Sequence, residues 1–252
     1  MKRSDYIFDK QDERYKVYKN NSVWKEVSPV IKQVYEDVDF KLKRPDLLGK
    51  TVRASLFQFS NIYNMVADLS DEMGIDMPQV YVYEDFYYGV ESFGVGTYWI
   101  EVSAKSISDL KENELRFILA REIFKISEGI TKEVTLINQI GNAVPYEIQG
   151  ILRLEFNKWY RCANFSADNY GYLCCRNLSD AVQAILKMVL NSVALAEEVD
   201  VMEFMKQTSE INRLHDKVYN YAKLDETIPY APFRIKNLFA YAVSDRGMKY
   251  IK

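Results

Sequence analysis

Residues 112 to 128 read ENELRFILAREIFKISE, a stretch in which every charge but one falls where a helix on a protein surface would put it. On a helical wheel Leu115, Ile118, Leu119, Ile123 and Ile126 share one broad arc, and Glu114, Arg121, Lys125 and Glu128 gather on the other side. The pattern predicts an amphipathic surface helix. Glu122 breaks it: the side chain falls inside the apolar arc between Ile118 and Ile126, where a carboxylate needs a hydrogen-bonding or charged partner, or a cleft to face.

Outside this stretch, composition sets broad bounds. A chain of 252 residues, 48% hydrophobic and 14% aromatic, is long and apolar enough for one compact domain, here read as residues 1–252 with an N-terminal helical extension (1–53) and a core (54–246). With 33 Lys plus Arg against 36 Asp plus Glu the net charge is −3, which offers no overall field for nucleic acid. The three cysteines, Cys162, Cys174 and Cys175, are odd in number and include an adjacent pair, a poor disulfide framework, so they read as reduced core thiols of a cytoplasmic protein. The N-terminal residues MKRSDYIFDKQDERYK lack the apolar run of a signal peptide, and no window of about 18 apolar residues suggests a membrane span.

Periodicity predicts a mostly helical chain with a few strands. A helix is expected from Asn21 into Val38, with Pro29 inside it, followed by a turn at Arg44-Pro45-Asp46 and Gly49. A second is expected from Ala54 to Met73, capped by Gly74. Strands are expected at Gln79 to Tyr83 and Gly96 to Val102, with Tyr87 to Gly94 open as a third strand or a bulged turn. The aromatic run from Tyr83 to Tyr98 reads as core and sheet surface, or as the lining of a groove. Beyond Ser103 helices follow almost continuously. These are the opening stretch, a breaker zone at Gly129, Gly141, Asn142 and Pro145, a long helix from Tyr146 to Arg176, and one from Ala181 to Leu195 capped by Ser179-Asp180. Shorter helices are expected at Val201 to Ser209, Ile211 to Ala222 and Phe233 to Ser244.

Three segments, taken in order, resemble the zinc metallopeptidases of the HtpX and CAAX-prenyl-protease type. The opening stretch, ELRFILAREIFKI from Glu114 to Ile126, matches a family helix reading approximately ELRFVLGHELGHI, except that Arg121 and Lys125 stand where the two histidines of HExxH belong and Glu122 alone is kept. CANFSADNYGYL, from Cys162 to Leu173, matches approximately ASEFSADRAGLL, with Asn164 in place of the ligand glutamate and the supporting aspartate kept as Asp168. IPYAPFRIKNLF, from Ile228 to Phe239, matches approximately HPFPALRVRELL, with Ile228 in place of the histidine and Pro229, Arg234 and Leu238 kept. The resemblance implies an α+β, mostly helical zincin-like domain with a small sheet packed on the motif helix.

Histidines at i and i+4 share a helix face, so that both can reach one Zn²⁺ at about 2.0–2.1 Å while the glutamate acts as general base on the bound water. Arginine and lysine are cationic at working pH and are repelled by a dication. The chain's single histidine, His215, cannot restore a two-imidazole site. No metal or other cofactor is therefore expected. Arg121 and Lys125 read either as a solvated helix face or as an ion-pair cluster, in which Arg121 meets Asp168 and Lys125 meets Glu122 or Glu128. Glu122 itself reads as an ion-pair member in preference to a catalytic base.

The expected function is that of a catalytically inactive metallopeptidase homologue that binds a peptide or protein partner. The family's cleft-edge strand corresponds to Tyr98, Trp99, Ile100, Glu101 and Val102, which could take an extended chain by strand addition. One alternative is a hydrolase with a repurposed, zinc-independent site using Glu122 and Asp168; another is a structural or assembly protein. The first requires an open groove beside Tyr98 to Val102, the second a carboxylate pair with one raised pKa, the third a filled cleft with an apolar patch elsewhere.

Overall fold

The computed structural model describes residues 1–142 and 144–250. It is an α+β fold, mostly helical, with one mixed four-stranded sheet. Strands β1 (Val52–Arg53), β2 (Gln79–Tyr83), β3 (Val90–Val95) and β4 (Thr97–Ser103) are arranged in the order β1-β2-β4-β3. β2 and β4 are parallel, while β1 and β3 run antiparallel to their neighbours. No helix of the described residues is long and apolar enough to cross a membrane.

The motif helix, Glu112–Ser127, lies in the centre, packed against the long helix Tyr146–Cys175, the helices Ser60–Met73 and Leu178–Leu190, and strand β3. This position overturns the expected surface helix. Glu114, Arg121 and Lys125, assigned to a solvated side by the wheel, are buried along with the apolar arc. A wheel reports which side chains share a face and not whether a neighbour covers that face. Gly171 permits the closest approach between the two central helices, because a Cβ there would lie 2.8 Å from both the ring and the carbonyl of Phe117 and 3.0 Å from Arg121 Cγ. A glycine inside a helix is intrinsically unfavourable, and that packing offsets the cost.

The first 53 residues form part of the core. Tyr18 and Trp24 are fully buried, and Tyr18 stacks on Trp159 of the long helix at 5.4 Å. The Tyr18 hydroxyl, the Trp24 indole N–H and Lys19 Nζ all donate to Glu133, on a helix Ile130–Asn138 that lies within the expected breaker zone.

Several boundaries differ from expectation for local reasons. The first predicted helix divides into Ser22–Val34, capped by Asn21, and a π-helical turn Tyr35–Asp39. The predicted turn at Arg44 to Gly49 is helical within Phe40–Lys50 despite Pro45, with Leu47 and Phe40 packed against Tyr81 and Trp99. The helix predicted from Ala54 starts at Ser60, because the Ala54 amide bonds Val80, Ser55 and Gln58 close a turn, and Phe59 adopts a left-handed φ of 53°. Gly74, left-handed at φ 73°, ends that helix as expected.

The segment Tyr87 to Gly94 is settled as strand β3 from Val90. The helix predicted over Ala181 to Leu195 runs instead from Leu178 to Leu190, capped by the Asn177 side chain and ended by left-handed Asn191. The break expected near Glu210 is absent, the helix Val201–Arg213 being continuous.

Candidate functional site

Arg121, Lys125, Asn164 and Asp168, singled out by the resemblance, lie between the motif helix and the long helix. Arg121 Nε lies 2.7 Å from Asp168 Oδ1 without being aligned for a hydrogen bond, and its Nη2 donates to Asn164 Oδ1 at 3.0 Å. Asn164 in turn donates to the Tyr160 carbonyl one turn earlier. Lys125 Nζ donates to Glu122 Oε1 at 2.6 Å and stands 6.0 Å above the Tyr160 ring. The Arg121–Asp168 pair and the Lys125–Glu122 pair are those expected; Glu128 instead binds Arg3.

Two further groups complete the cluster. Arg234, on the helix Ala231–Ala242, forms a bidentate pair with Asp168, Nε to Oδ2 at 2.9 Å and Nη2 to Oδ1 at 2.8 Å. Ser92 on β3 donates both its amide and its hydroxyl to Glu122 Oε2, at 2.9 and 2.8 Å, and its hydroxyl also meets Thr131 at 2.7 Å. Sequence reasoning marked Arg234 as a surviving letter without a role. It missed Ser92 altogether, since a serine in an irregular segment carries no periodic signal. Ile228, placed with the cluster by alignment, is 41% exposed at the surface, and the chain turns inward only at Pro229.

Electrostatics makes the cluster a closed unit. Burial on its own would raise the Asp168 carboxyl, but Arg234 and Arg121 outweigh it and hold it below the usual carboxylate range. Glu122 is likewise lowered: burial opposes ionisation, and Lys125, Arg121 and the Ser92 donors overcome it. Lys125 is raised, the attraction of Glu122 exceeding the cost of burial. Arg121 is pushed down by burial and by the neighbouring Arg234 cation, and remains charged. Glu91 on β3 is exposed, and solvent screens it from Glu122. The carboxylate pair considered for a repurposed hydrolase thus has both members lowered, each enclosed by cations.

The pH dependence of stability follows. Unfolded Asp and Glu titrate near pH 4, and the folded values of Asp168 and Glu122 lie lower. Below about pH 4 the unfolded chain binds protons that the folded chain does not, so the stabilisation these groups add is complete above that point. It is lost as the pH falls through the folded values. Melting temperatures measured from pH 7 to pH 2 should show this acid limb in the wild type and a shallower one in Glu122→Gln; identical limbs would remove Glu122 from the account.

The strand proposed as a binding edge is not an edge. β4, which contains Tyr98, Trp99, Ile100, Glu101 and Val102, is paired on one side with β2 and on the other with β3. Its backbone groups are committed to those ladders, which excludes strand addition there. The edge strand facing the motif helix is β3, and there the Ser92 and Gly94 amides already donate to Glu122 and Thr135.

The cysteines meet expectation in part. Cys174 and Cys175 are buried, with thiols pushed up by burial to about 12 and about 11, whereas Cys162 is half-buried. Among the described residues no three His, Cys, Asp or Glu side chains converge in a way that could hold a metal ion. Comparison with protein families, curated proteins and solved structures returned no match.

Proposed function

We propose that the chain is a catalytically inactive homologue of the zinc metallopeptidases, of zincin-like fold, in which the metal site has become an ion-paired structural core. Its work is then to bind a peptide or protein partner, at a surface other than the interior strand β4. The observation that carries this reading is the convergence of two positions one turn apart on the motif helix with a third, 43 residues beyond Arg121, on the long helix. Arg121 touches Asn164, and Lys125 leans over Tyr160 one turn away, so the positions aligned with two histidines and a glutamate face one another across two helices. Two monocations placed there neutralise the carboxylates that a dication would otherwise hold.

The triple reversion Arg121→His, Lys125→His, Asn164→Glu tests descent and loss together. Metal analysis of the purified wild type is expected to find no stoichiometric zinc, and peptide-cleavage assays no turnover. The reversion is expected to take up zinc and to melt at a higher temperature with it than without. Stoichiometric zinc or proteolysis in the wild type would overturn the loss; a folded reversion indifferent to zinc would overturn the descent.

A second reading, of a structural or assembly protein, is favoured by one surface feature. Val30, Val34, Val38 and Leu42 follow one another at intervals of four along the helical run from Ser22 to Lys50, and they are 60%, 49%, 47% and 71% exposed. Such an apolar ridge has the spacing used in helix-to-helix packing. The ion pairs of Arg121, Lys125 and Asp168 are in keeping with the filled cleft that this second reading requires.

A further inference from the structure

At the level of Tyr160 and Asn164, which meet the motif helix, the long helix presents a different face to solvent. Lys158, Arg161, Cys162 and Phe165 recur at i, i+3, i+4 and i+7, which aligns them on one side. Lys10 and Arg14, one turn apart near the start of the helix Gln11–Asn20, stand beside them and enclose a cavity of about 600 Å³. Ile228, Tyr230 and Phe233 close it from the C-terminal side.

The charge of this cavity is one-sided. Lys10, Arg14, Lys158, Arg161 and Lys223 line it, against a single carboxylate, Glu226. Among the described residues only Lys158 of these cations has an ion-pair partner, Glu155 at 2.6 Å. Arg161 Nη1 donates to the carbonyls of Leu224 and Glu226, neutral groups that fix the guanidinium without cancelling its charge. In a chain of net charge −3 this is a local concentration of positive potential, and low-dielectric walls focus it. Phe165, Tyr230 and Phe233 are half-buried and supply an apolar wall beside the cations.

We propose that this cavity binds a small amphiphilic anion, its carboxylate or phosphate held by Lys10 and Arg14 and its apolar body packed on Phe165, Tyr230 and Phe233. The volume lies within the roughly 300–1,000 Å³ of small-molecule sites, and an apolar lining with a few convergent charges is their usual composition. Carboxylate and phosphate share the chemistry that the two cations recognise. The site is independent of the metal-ligand positions, so a zinc-binding wild type would leave it untouched and its own failure would leave the ancestry untouched.

Cys162 gives a direct readout, since it lines the cavity and is the half-buried thiol while Cys174 and Cys175 are buried. Phenyl phosphate, laurate and inorganic phosphate are the probes, followed by calorimetry and by mass spectrometry of iodoacetamide labelling at Cys162. At least one of the two organic anions is expected to bind and slow labelling, inorganic phosphate binding more weakly; which of the two binds better separates phosphate from carboxylate. Lys10→Ala/Arg14→Ala should weaken binding by about tenfold to a hundredfold, the usual effect of losing a charged hydrogen bond. Glu226→Gln should tighten it. Lys32→Ala/Lys50→Ala, an equal charge change outside the cavity, should do nothing. Unprotected Cys162 with both organic anions, or equal weakening in the Lys32/Lys50 control, would each overturn the proposal.

Discussion

Asp168→Ala is expected to be the most damaging single substitution in the central cluster. Asp168 is fully buried and serves two arginines at once, Arg234 through two hydrogen bonds and Arg121 through charge at 2.7 Å. Removing one partner of a buried ion pair costs roughly 3–5 kcal/mol, because the other charge is left desolvated without compensation. Here two cations are orphaned, so a loss of about 5 kcal/mol or more is expected, comparable with the whole stability of a marginal domain. Arg121→Met should cost clearly less, since Asp168 keeps its bidentate partner and the replaced side chain is apolar. Guanidinium denaturation of both variants decides the matter. Equal losses would show that Arg234 adds nothing and that Asp168 is not the node of the cluster.

The second large effect lies at the other end of the motif helix. Lys187 Nζ donates to both carboxylate oxygens of Glu114, at 2.9 and 2.8 Å, and the two side chains are 1% and 0% exposed. Glu114 also accepts from the Lys111 amide, so it caps its own helix while tying it to the helix Leu178–Leu190. Lys187→Met is expected to destabilise by roughly 3–5 kcal/mol, leaving a buried carboxylate with one backbone donor. Adding Glu114→Gln should recover a large part of the loss, because a glutamine oxygen still accepts the Lys111 amide and carries no charge to desolvate. A double-mutant cycle with no coupling would refute this account of the pair.

These two clusters explain why a helix with several charged side chains can sit in the middle of a fold. The buried charges of the motif helix meet opposite charges, from other elements or from the helix itself. Asp168 comes from the long helix, Arg234 from the helix after it in space, and Lys187 from the helix Leu178–Leu190. Lys125 and Glu122 neutralise each other within one turn, and Ser92 fills the remaining acceptor. Matched ion pairs let these charges be buried without a metal ion.

Much of this was legible in the residues. The 3.6-residue period located the motif helix, the long helix and the end of Ser60–Met73 at Gly74; β-branched and aromatic residues located β2 and β4. Glu122 was marked as a carboxylate needing a partner, and Lys125 three residues on is near enough in sequence for a helical wheel to suggest it. The Arg121–Asp168 pair was reached only through the resemblance between two segments. Lys187 could have been noticed as a lysine among Val182, Ile185 and Leu186, but nothing local points from it to Glu114.

What the sequence by itself determined was the periodic order of the elements, the presence of a single histidine and the presence of a carboxylate on an apolar arc. What only the tertiary structure decided was that the polar side of the motif helix is buried too, that β4 is an interior strand, and that Lys10, Arg14 and Arg161 meet around one cavity. The division has a physical cause. Periodicity and capping are set by neighbours within a few residues, whereas the burial of a charge and the pairing of a strand depend on which distant segments cover it.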